Sequence, residues 1–135
     1  MNNLARLLVE VLRKRIAPLG IVPGQFPTLL ALWEKDGLTQ KELLVLVDIE
    51  QATLANTLTR MERDGLITRK EHPADARART IHLTNQGRSI RDEAYKAAAQ
   101  INEEVLADLS DAETEAFLSY MRRVIGRIKE VEATS

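Results

Sequence analysis

The chain has 135 residues, of which 44% are hydrophobic and 29% charged, and its formal net charge is −1. This balance is typical of one folded domain. The absence of cysteine excludes disulfides, thiolate catalysis and sulfur-ligated metal sites. Because no apolar run approaches the ~18 residues of a membrane span and the N-terminus lacks a signal-peptide pattern, we expect a cytoplasmic protein without a membrane partner.

The charges are unevenly distributed along the chain. Residues 66–91 carry six cationic and two acidic side chains, whereas residues 92–135 carry five cationic and ten acidic ones. A basic middle segment in a chain of nearly zero net charge is typical of a protein that presents one face to phosphates.

Apolar residues at helical spacing predict two N-terminal helices. The first is expected to end at Pro18 and Gly20, and the second to run from Pro23 and Gly24 to Asp36 and Gly37. Their apolar stripes are formed by Leu4, Leu7, Leu8, Val11 and Leu12 in the first helix and by Phe26, Leu29, Leu30 and Trp33 in the second.

Two short helices joined by a tight connection follow. Thr39 and Glu42 have the spacing of a capping box, which predicts the start of the first of them. After a break at residues 48–49, the second is expected to turn Leu54, Leu58 and Met61 inward and to close at residues 64–65. This arrangement predicts a helix-turn-helix.

The periodicity then changes to that of strands. Residues 66–71 and 78–83 are rich in β-branched side chains, and a polar turn with a proline joins them across residues 72–77. The sequence therefore predicts a β hairpin with the position and size of a wing.

Two long helices are predicted after the hairpin. Thr84 and Asn85 are expected to cap the first, whose stripe runs from Ile90 to Val105, and Ser110 and Glu113 form a second capping box that opens the last. Stripes this wide favour dimerisation over a bundle within one chain. The fold class is thus mainly α with a small β hairpin (α+β), a winged helix-turn-helix with long N- and C-terminal dimerisation helices.

Three segments, residues 38–43, 53–69 and 82–87, resemble the MarR family of bacterial regulators, and the flanking helices extend the resemblance over nearly the whole chain. The resemblance implies a single domain over residues 1–135. Residues 38–84 would form the DNA-binding lobe, and residues 1–20 and 85–135 the dimerisation helices. It further implies a homodimer on a palindromic operator, with recognition helices in successive major grooves and wings in flanking minor grooves. One departure is that the family's wing usually reads Asp-Arg-Arg, whereas this chain has Asp75, Ala76 and Arg77.

Candidate DNA contacts lie on the recognition helix and the wing. Asn and Gln side chains bond adenine bidentately, and arginine in a narrow minor groove gains from its negative potential. Arg60 is expected to contact phosphate, with a pair to Glu62 or Glu42 as the alternative, and Asp75 to stabilise the wing turn. The alternative for all of them is a solvated charged or polar surface. The candidates are Thr39, Gln51, Thr53, Asn56, Thr57, Arg60, Arg77 and Arg79.

Other residues are candidates for contact with a small molecule or a metal ion. Phe26 and Trp33 are expected in the core. The MarR resemblance implies a ligand cavity lined partly by the helix that carries them, so both are also speculative ligand contacts. Arg6, Arg13 and Arg15 are possible partners of an acidic ligand. His72 and His82 are interpreted as structural, because further metal ligands are scarce nearby. We expect neither a metal nor a cofactor.

The sequence thus predicts a sequence-specific DNA-binding transcription regulator. The resemblance makes it a repressor released by a small aromatic or phenolic ligand. The alternative is a protein-binding winged-helix adaptor or antirepressor without direct DNA contact, which the exposed wing arginines disfavour. An enzyme is disfavoured because the chain lacks a nucleophile with a nearby base, a glycine-rich phosphate loop and paired carboxylates in an apolar pocket.

Overall fold

The computed structural model describes residues 1–75 and 77–134, which fall into two compact units divided between Ala98 and Ala99. The larger unit contains the sheet and the core. Its helices and strands are α1 (Asn2–Ile16), α2 (Phe26–Glu34), β1 (Leu38–Thr39), α3 (Gln40–Leu46), α4 (Gln51–Arg63), β2 (Ile67–Glu71), β3 (Arg79–Leu83), α5 (Asn85–Ser89) and the first part of α6 (Arg91–Val105); the smaller unit holds the rest of α6 and α7 (Asp111–Ala133).

The predicted hairpin is confirmed, and it belongs to a three-stranded antiparallel sheet in the order β1-β3-β2. Ile67 lies opposite Leu83 and Glu71 opposite Arg79. The third strand, β1, was not predicted; its Leu38 pairs with Ile81 of β3. The second strand of the wing is therefore joined directly to the residues that open α3.

The predicted inward face of α4 is confirmed, since Leu54, Leu58 and Met61 are each 0% exposed. They join one core that also takes side chains from α2, α3 and both hairpin strands. The chain leaves α4 at Gly65, whose φ of 79° is a left-handed conformation that favours glycine. The helix-turn-helix is thus fixed from behind by close-packed apolar side chains.

The prediction of one long helix starting at Thr84 is wrong. Thr84 does cap a helix, through the Gly87 amide at 3.0 Å, but that helix is the short α5, and a turn at Ile90 separates it from α6. The Gly87 carbonyl, which an unbroken helix would offer to the Arg91 amide, accepts the indole N–H of Trp33 at 2.8 Å. A Cβ on residue 87 would also collide with the Leu66 carbonyl. Tertiary contacts therefore interrupt a pattern that is locally helical.

The terminal helices differ from the core elements in exposure. Over its 23 residues α7 has no buried side chain. Its apolar residues Tyr120, Val124, Ile125, Ile128 and Val131 are 47–60% exposed, and α1 leaves Leu4, Leu7, Leu8 and Val9 exposed as well. These two helices carry apolar surface that the chain itself does not cover.

Within the described part of the chain, no single helix is long and apolar enough to cross a membrane. One pair bent by 86°, Asn2–Leu19 with Pro23–Glu34, reaches the length and composition of a span only when both parts are taken together.

Candidate nucleic-acid interface

The helix α4 presents polar side chains on the side away from the core. Gln51, Thr53, Asn56 and Arg60 are exposed, and Thr57 is half-buried, with its hydroxyl donating to the Thr53 carbonyl at 2.8 Å. The side chain of Glu50, the residue before the helix, makes no capping hydrogen bond. The first turn of α4 therefore combines uncapped amides with short polar side chains, which suits contact with phosphates and base edges.

The start of α3 is fixed by the predicted capping box. Glu42 N donates to Thr39 Oγ1 at 3.1 Å, and Thr39 N donates to Glu42 Oε1 at 3.0 Å. The bond from the Thr39 amide, and secondarily the Thr39 hydroxyl, holds the pKa of the Glu42 carboxyl below its usual value. Thr39, a predicted DNA contact, thus has its hydroxyl engaged in positioning α3.

The wing turn is organised by Asp75. Its Oδ1 accepts from the Arg77 amide at 3.0 Å, and its backbone carbonyl accepts from the Ala78 amide at 3.1 Å. The Arg77 side chain is 97% exposed, and its Nε lies 3.9 Å from Asp75 Oδ1. Arg79 is exposed opposite Glu71 in the strand register. Ala76, the departure from the family's pattern, lies outside the described residues.

A cleft of about 540 Å³ lies between the start of α3 and the wing. It brings together four predicted site residues, Thr39, Asp75, Arg77 and Arg79. Three further lining residues, Gln40, Lys41 and Arg69, were missed as candidates. Their signal was available, since Gln40 and Lys41 directly follow the capping threonine and Arg69 belongs to the basic middle segment. The cleft is thus lined by four Lys or Arg side chains and one carboxylate, a balance that suits a phosphate-facing surface.

Arg69 connects the wing to the recognition helix. Its NH2 group donates to Thr59 Oγ1 at 3.2 Å, and its Nε lies 4.0 Å from Glu62 Oε1. The side chain is 20% exposed, and the Nε is buried without a hydrogen-bond partner. This arginine spans from β2 to the second half of α4, so it helps to set the angle between the two candidate DNA-contacting elements.

The end of α4 is held by a second polar contact. The buried Gln25 donates from its Nε2 to Asp64 Oδ2 at 3.1 Å, and its Oε1 accepts from the Val22 amide at 3.2 Å. The Gln25 hydrogen bond, and secondarily Arg63, keeps the pKa of Asp64 below its usual value. The junction between α1 and α2 is therefore tied to the end of the recognition helix.

Phe26 and Trp33 contact each other. Their rings meet edge to face with centroids 6.2 Å apart, Phe26 is buried in the core, and Trp33 also contacts Tyr95 at 5.6 Å. With its indole N–H bonded to Gly87, Trp33 has a structural role. A ligand contact by either residue stays a prediction.

The two histidines make local contacts. His72 Nδ1 accepts from the Ala74 amide at 3.0 Å, and His82 Nε2 lies 2.7 Å from Thr80 Oγ1. Among the described residues, no group of three or more His, Asp or Glu side chains is arranged to hold a metal ion.

Comparisons with known proteins agree with this geometry. The MarR family model matches residues 21–78. Transcriptional regulator HosA of Escherichia coli O111:H- is 36% identical over 101 residues, which are 75% of this chain and 75% of HosA.

Solved structures show the same fold. A mutant MarR from Escherichia coli complexed with operator DNA has a TM-score of 0.83 at 22% identity, covering 91% of this chain and 89% of that one. BpsR of Bordetella bronchiseptica, whose DNA binding is regulated by 6-hydroxynicotinic acid, has a TM-score of 0.82 at 24% identity, covering 91% and 88%. The chain belongs to the MarR family of transcription regulators, which bind DNA and are not enzymes.

Proposed function

We propose that the protein is a sequence-specific repressor that binds a palindromic operator as a homodimer through residues 38–84. The observation that carries this proposal is α4, whose exposed polar side chains stand on a base of fully buried leucines and methionine. A helix held so firmly is suited to entering a major groove, because its side chains then meet base edges at fixed positions.

Each side chain of α4 has a distinct expected contact. Asn56 and Gln51 carry amides that match the N6 and N7 atoms of adenine, and Thr53 stands at the first turn, where free amides favour phosphate. Arg60 lies further along the helix and is expected to bind phosphate. Specificity therefore rests mainly on the amides, and the arginine adds affinity without sequence preference.

The wing is expected to reach the adjacent minor groove. Arg77 is nearly fully exposed, and the hydrogen bond from its own amide to Asp75 fixes the turn that carries it. A guanidinium in a narrow minor groove gains from the negative potential there. The exposed Lys41 in the cleft behind the wing would meet the phosphates between the two grooves.

Dimerisation is proposed through residues 1–20 and 85–135. The apolar side chains of α7, and those near the start of α1, are about half exposed. Such surface is costly in water, and a second copy of the same chain buries it symmetrically. A two-fold dimer reads two half-sites whose centres are about one helical turn, ~34 Å, apart.

We further propose that a small aromatic or phenolic acid releases the repressor. Support comes from BpsR, whose DNA binding is regulated by 6-hydroxynicotinic acid, and from the aromatic pair Phe26 and Trp33 on α2. Trp33 is the single tryptophan of the chain. Titration with such acids is expected to change its fluorescence and to raise the concentration of protein needed for DNA binding. Because its target is chromosomal DNA, the protein would act in the cytoplasm.

A salt series tests the proposal against the adaptor alternative. Anisotropy of a labelled duplex from the protein's own promoter region should show tight binding at low salt that weakens steeply as salt rises. For each phosphate that the dimer contacts, the slope of log K against log salt becomes more negative by about one unit. Failure to bind that duplex, and failure to enrich any sequence from a random pool, would favour an adaptor that binds protein.

A further inference from the structure

A recess beside the start of the recognition helix contains Leu44, a residue to which no contact has been assigned above. It holds about 400 Å³ and is lined by Gln40, Lys41, Leu44 and Gln51. Leu44 is half-buried against the core and is the sole apolar side chain among these four. The recess thus has one aliphatic side chain, two amides and one cation, and it spans the gap between α3 and α4.

The position of the recess points to DNA as its occupant. Gln51 is the first residue of α4 and is exposed, and Lys41 is an exposed cation on the first turn of α3. Any duplex that places its major groove against the first turn of α4 therefore meets these four residues as well. A single leucine offers too little apolar surface for a peptide helix, which docks through several anchors at helical spacing.

The chemistry of the recess selects one group in the major groove. The base-pair edges there carry hydrogen-bond donors and acceptors, and the one apolar group is the C5-methyl of thymine. Leu44 provides an apolar contact for that methyl, while the Gln51 amide reaches the N6 and N7 atoms of an adenine. Lys41 at the rim is placed for the phosphate of the same strand.

We propose that this recess is a thymine-methyl site, so that Leu44 on the first helix of the helix-turn-helix contributes to operator specificity. The inference rests on the proposed DNA-binding function and extends it to a residue outside the recognition helix. One A·T pair in each half-site would be read from both sides, through its methyl by Leu44 and through adenine by Gln51.

Uracil scanning of the operator tests this with the unaltered protein. Each thymine of the selected duplex is replaced in turn by deoxyuridine, which removes the methyl and keeps base pairing. At one position in each half-site, affinity should fall about fourfold, the value expected for losing one buried methyl. Other thymines that the recess does not contact should change affinity by less than about twofold.

A pair of variants on α3 assigns the effect to the recess. Leu44→Ala should remove the sensitivity to deoxyuridine at that position. Val45→Ala should keep it, because Val45 is 83% exposed on the same helix and does not line the recess. Affinities measured for each protein variant on each duplex form a double-mutant cycle. The cycle gives the coupling between residue 44 and the thymine methyl, separate from any effect of deoxyuridine on the shape of the DNA.

Two outcomes would overturn the inference while leaving the proposed function intact. One is tight, specific binding with no thymine sensitive to loss of its methyl. The other is a sensitive thymine whose effect survives in a folded Leu44→Ala protein, which would assign the methyl to a different residue. If Leu44→Ala does not fold, the smaller truncation Leu44→Val takes its place in the same comparison. Absence of binding to any duplex would instead contradict the proposed function itself.

Discussion

Leu58 of α4 and Ile128 of α7 both lie on the apolar side of an amphipathic helix, yet their surroundings differ. Leu58 is 0% exposed, because β strands and neighbouring helices close over it, whereas Ile128 is 51% exposed. The chain itself therefore covers the apolar side of α4 and leaves that of α7 open to solvent. We expect the first region to work as a preformed surface and the second to pack against another molecule.

Polar contacts differ between the two regions in the same way. Residues around the lobe are joined across long sequence separations, as in the Leu83 amide bonding Asp36 Oδ1 at 2.9 Å and Thr84 Oγ1 donating to the Gly65 carbonyl at 2.6 Å. In α7, by contrast, the hydrogen bonds and ion pairs described are local, such as Arg127 with Glu130 at 3.0 Å. Rigidity in the lobe suits base recognition, since misplacement of a bidentate amide loses its discrimination.

The largest effect is expected from placing a charge on the exposed apolar side of α7. Ile128→Glu should dissociate the dimer, because a carboxylate buried without a partner is strongly unfavourable. In the dimer, binding of one half-site holds the second protomer at a high effective concentration near the other half-site. A separate protomer lacks this advantage, so affinity for the operator should fall at least about 100-fold. Sedimentation and DNA-binding anisotropy measure the two changes.

Ser119→Glu is the matched control, because it adds the same charge nine residues away, on the opposite side of the helix. It should leave both dimerisation and binding intact. A dimeric Ile128→Glu protein with normal affinity would show that α7 is not the dimer surface, and the comparison with the lobe would fail.

A smaller, position-specific effect is expected in the lobe. Asn56→Ala should relax base preference at one position of each half-site, with a loss of about 1–3 kcal/mol against the preferred base. Affinities for operators mutated at each position in turn measure this. Gln100→Ala, a comparable truncation on the exposed surface of α6, should leave every preference unchanged. Equal losses on all sequences would make Asn56 a phosphate contact instead.

The wing should respond differently from α4. Removal of the exposed guanidinium in Arg77→Ala is expected to weaken all operators to a similar degree, and the salt slope should decrease by about one unit per protomer. Arg127→Ala removes the same charge from α7 and should leave the slope unchanged. If Arg77→Ala instead changed the preferred sequence and not the slope, the minor-groove role of the wing would be wrong.

The smallest effect is expected at the two capping boxes, one at the start of α3 and one at the start of α7. The carboxyls of Glu42 and Glu113 have pKa values below the ordinary 4.5, because Thr39 and Ser110, respectively, donate to them from the backbone. A lowered pKa in the folded state adds stability above pH 4.5 that is lost as pH falls through the folded value. Glu42→Gln and Glu113→Gln should therefore lower the unfolding temperature slightly at pH 7, and by progressively less as pH falls below 4.5. Differences that do not shrink as pH falls would assign the effect to lost packing.

Much of the lobe was predictable because its signals are local. The capping box at Thr39 and the inward spacing of Leu54, Leu58 and Met61 can be read within one or two turns of helix. Strand β1 could not be predicted, since its two residues are a strand only through pairing with β3, more than 40 residues later. The break at Ile90 depends on Trp33, which is 54 residues from its bonding partner Gly87.

The candidate site divides in the same manner. Polar residues on α4 were predicted from helical spacing alone. Lys41 and Arg69 lie beside local signals in the sequence, but only the folded sheet shows that both line one cleft with the wing. The connection of Gln25 to Asp64, across 39 residues, likewise has no local signal. The periodicity of apolar residues predicts which side of a helix is exposed to solvent. The residues that lie beside that exposed side depend on the fold.

The role of α4 in reading the operator can be tested by selecting bound DNA from a random pool, in parallel with the unaltered chain and with Asn56→Ala. We expect the unaltered chain to enrich a two-fold symmetric motif whose half-site centres lie about 10 base pairs apart. Asn56→Ala should enrich the same motif with one position in each half-site relaxed. Enrichment of no motif, or of an identical motif by both proteins, would contradict the claim that α4 reads the operator.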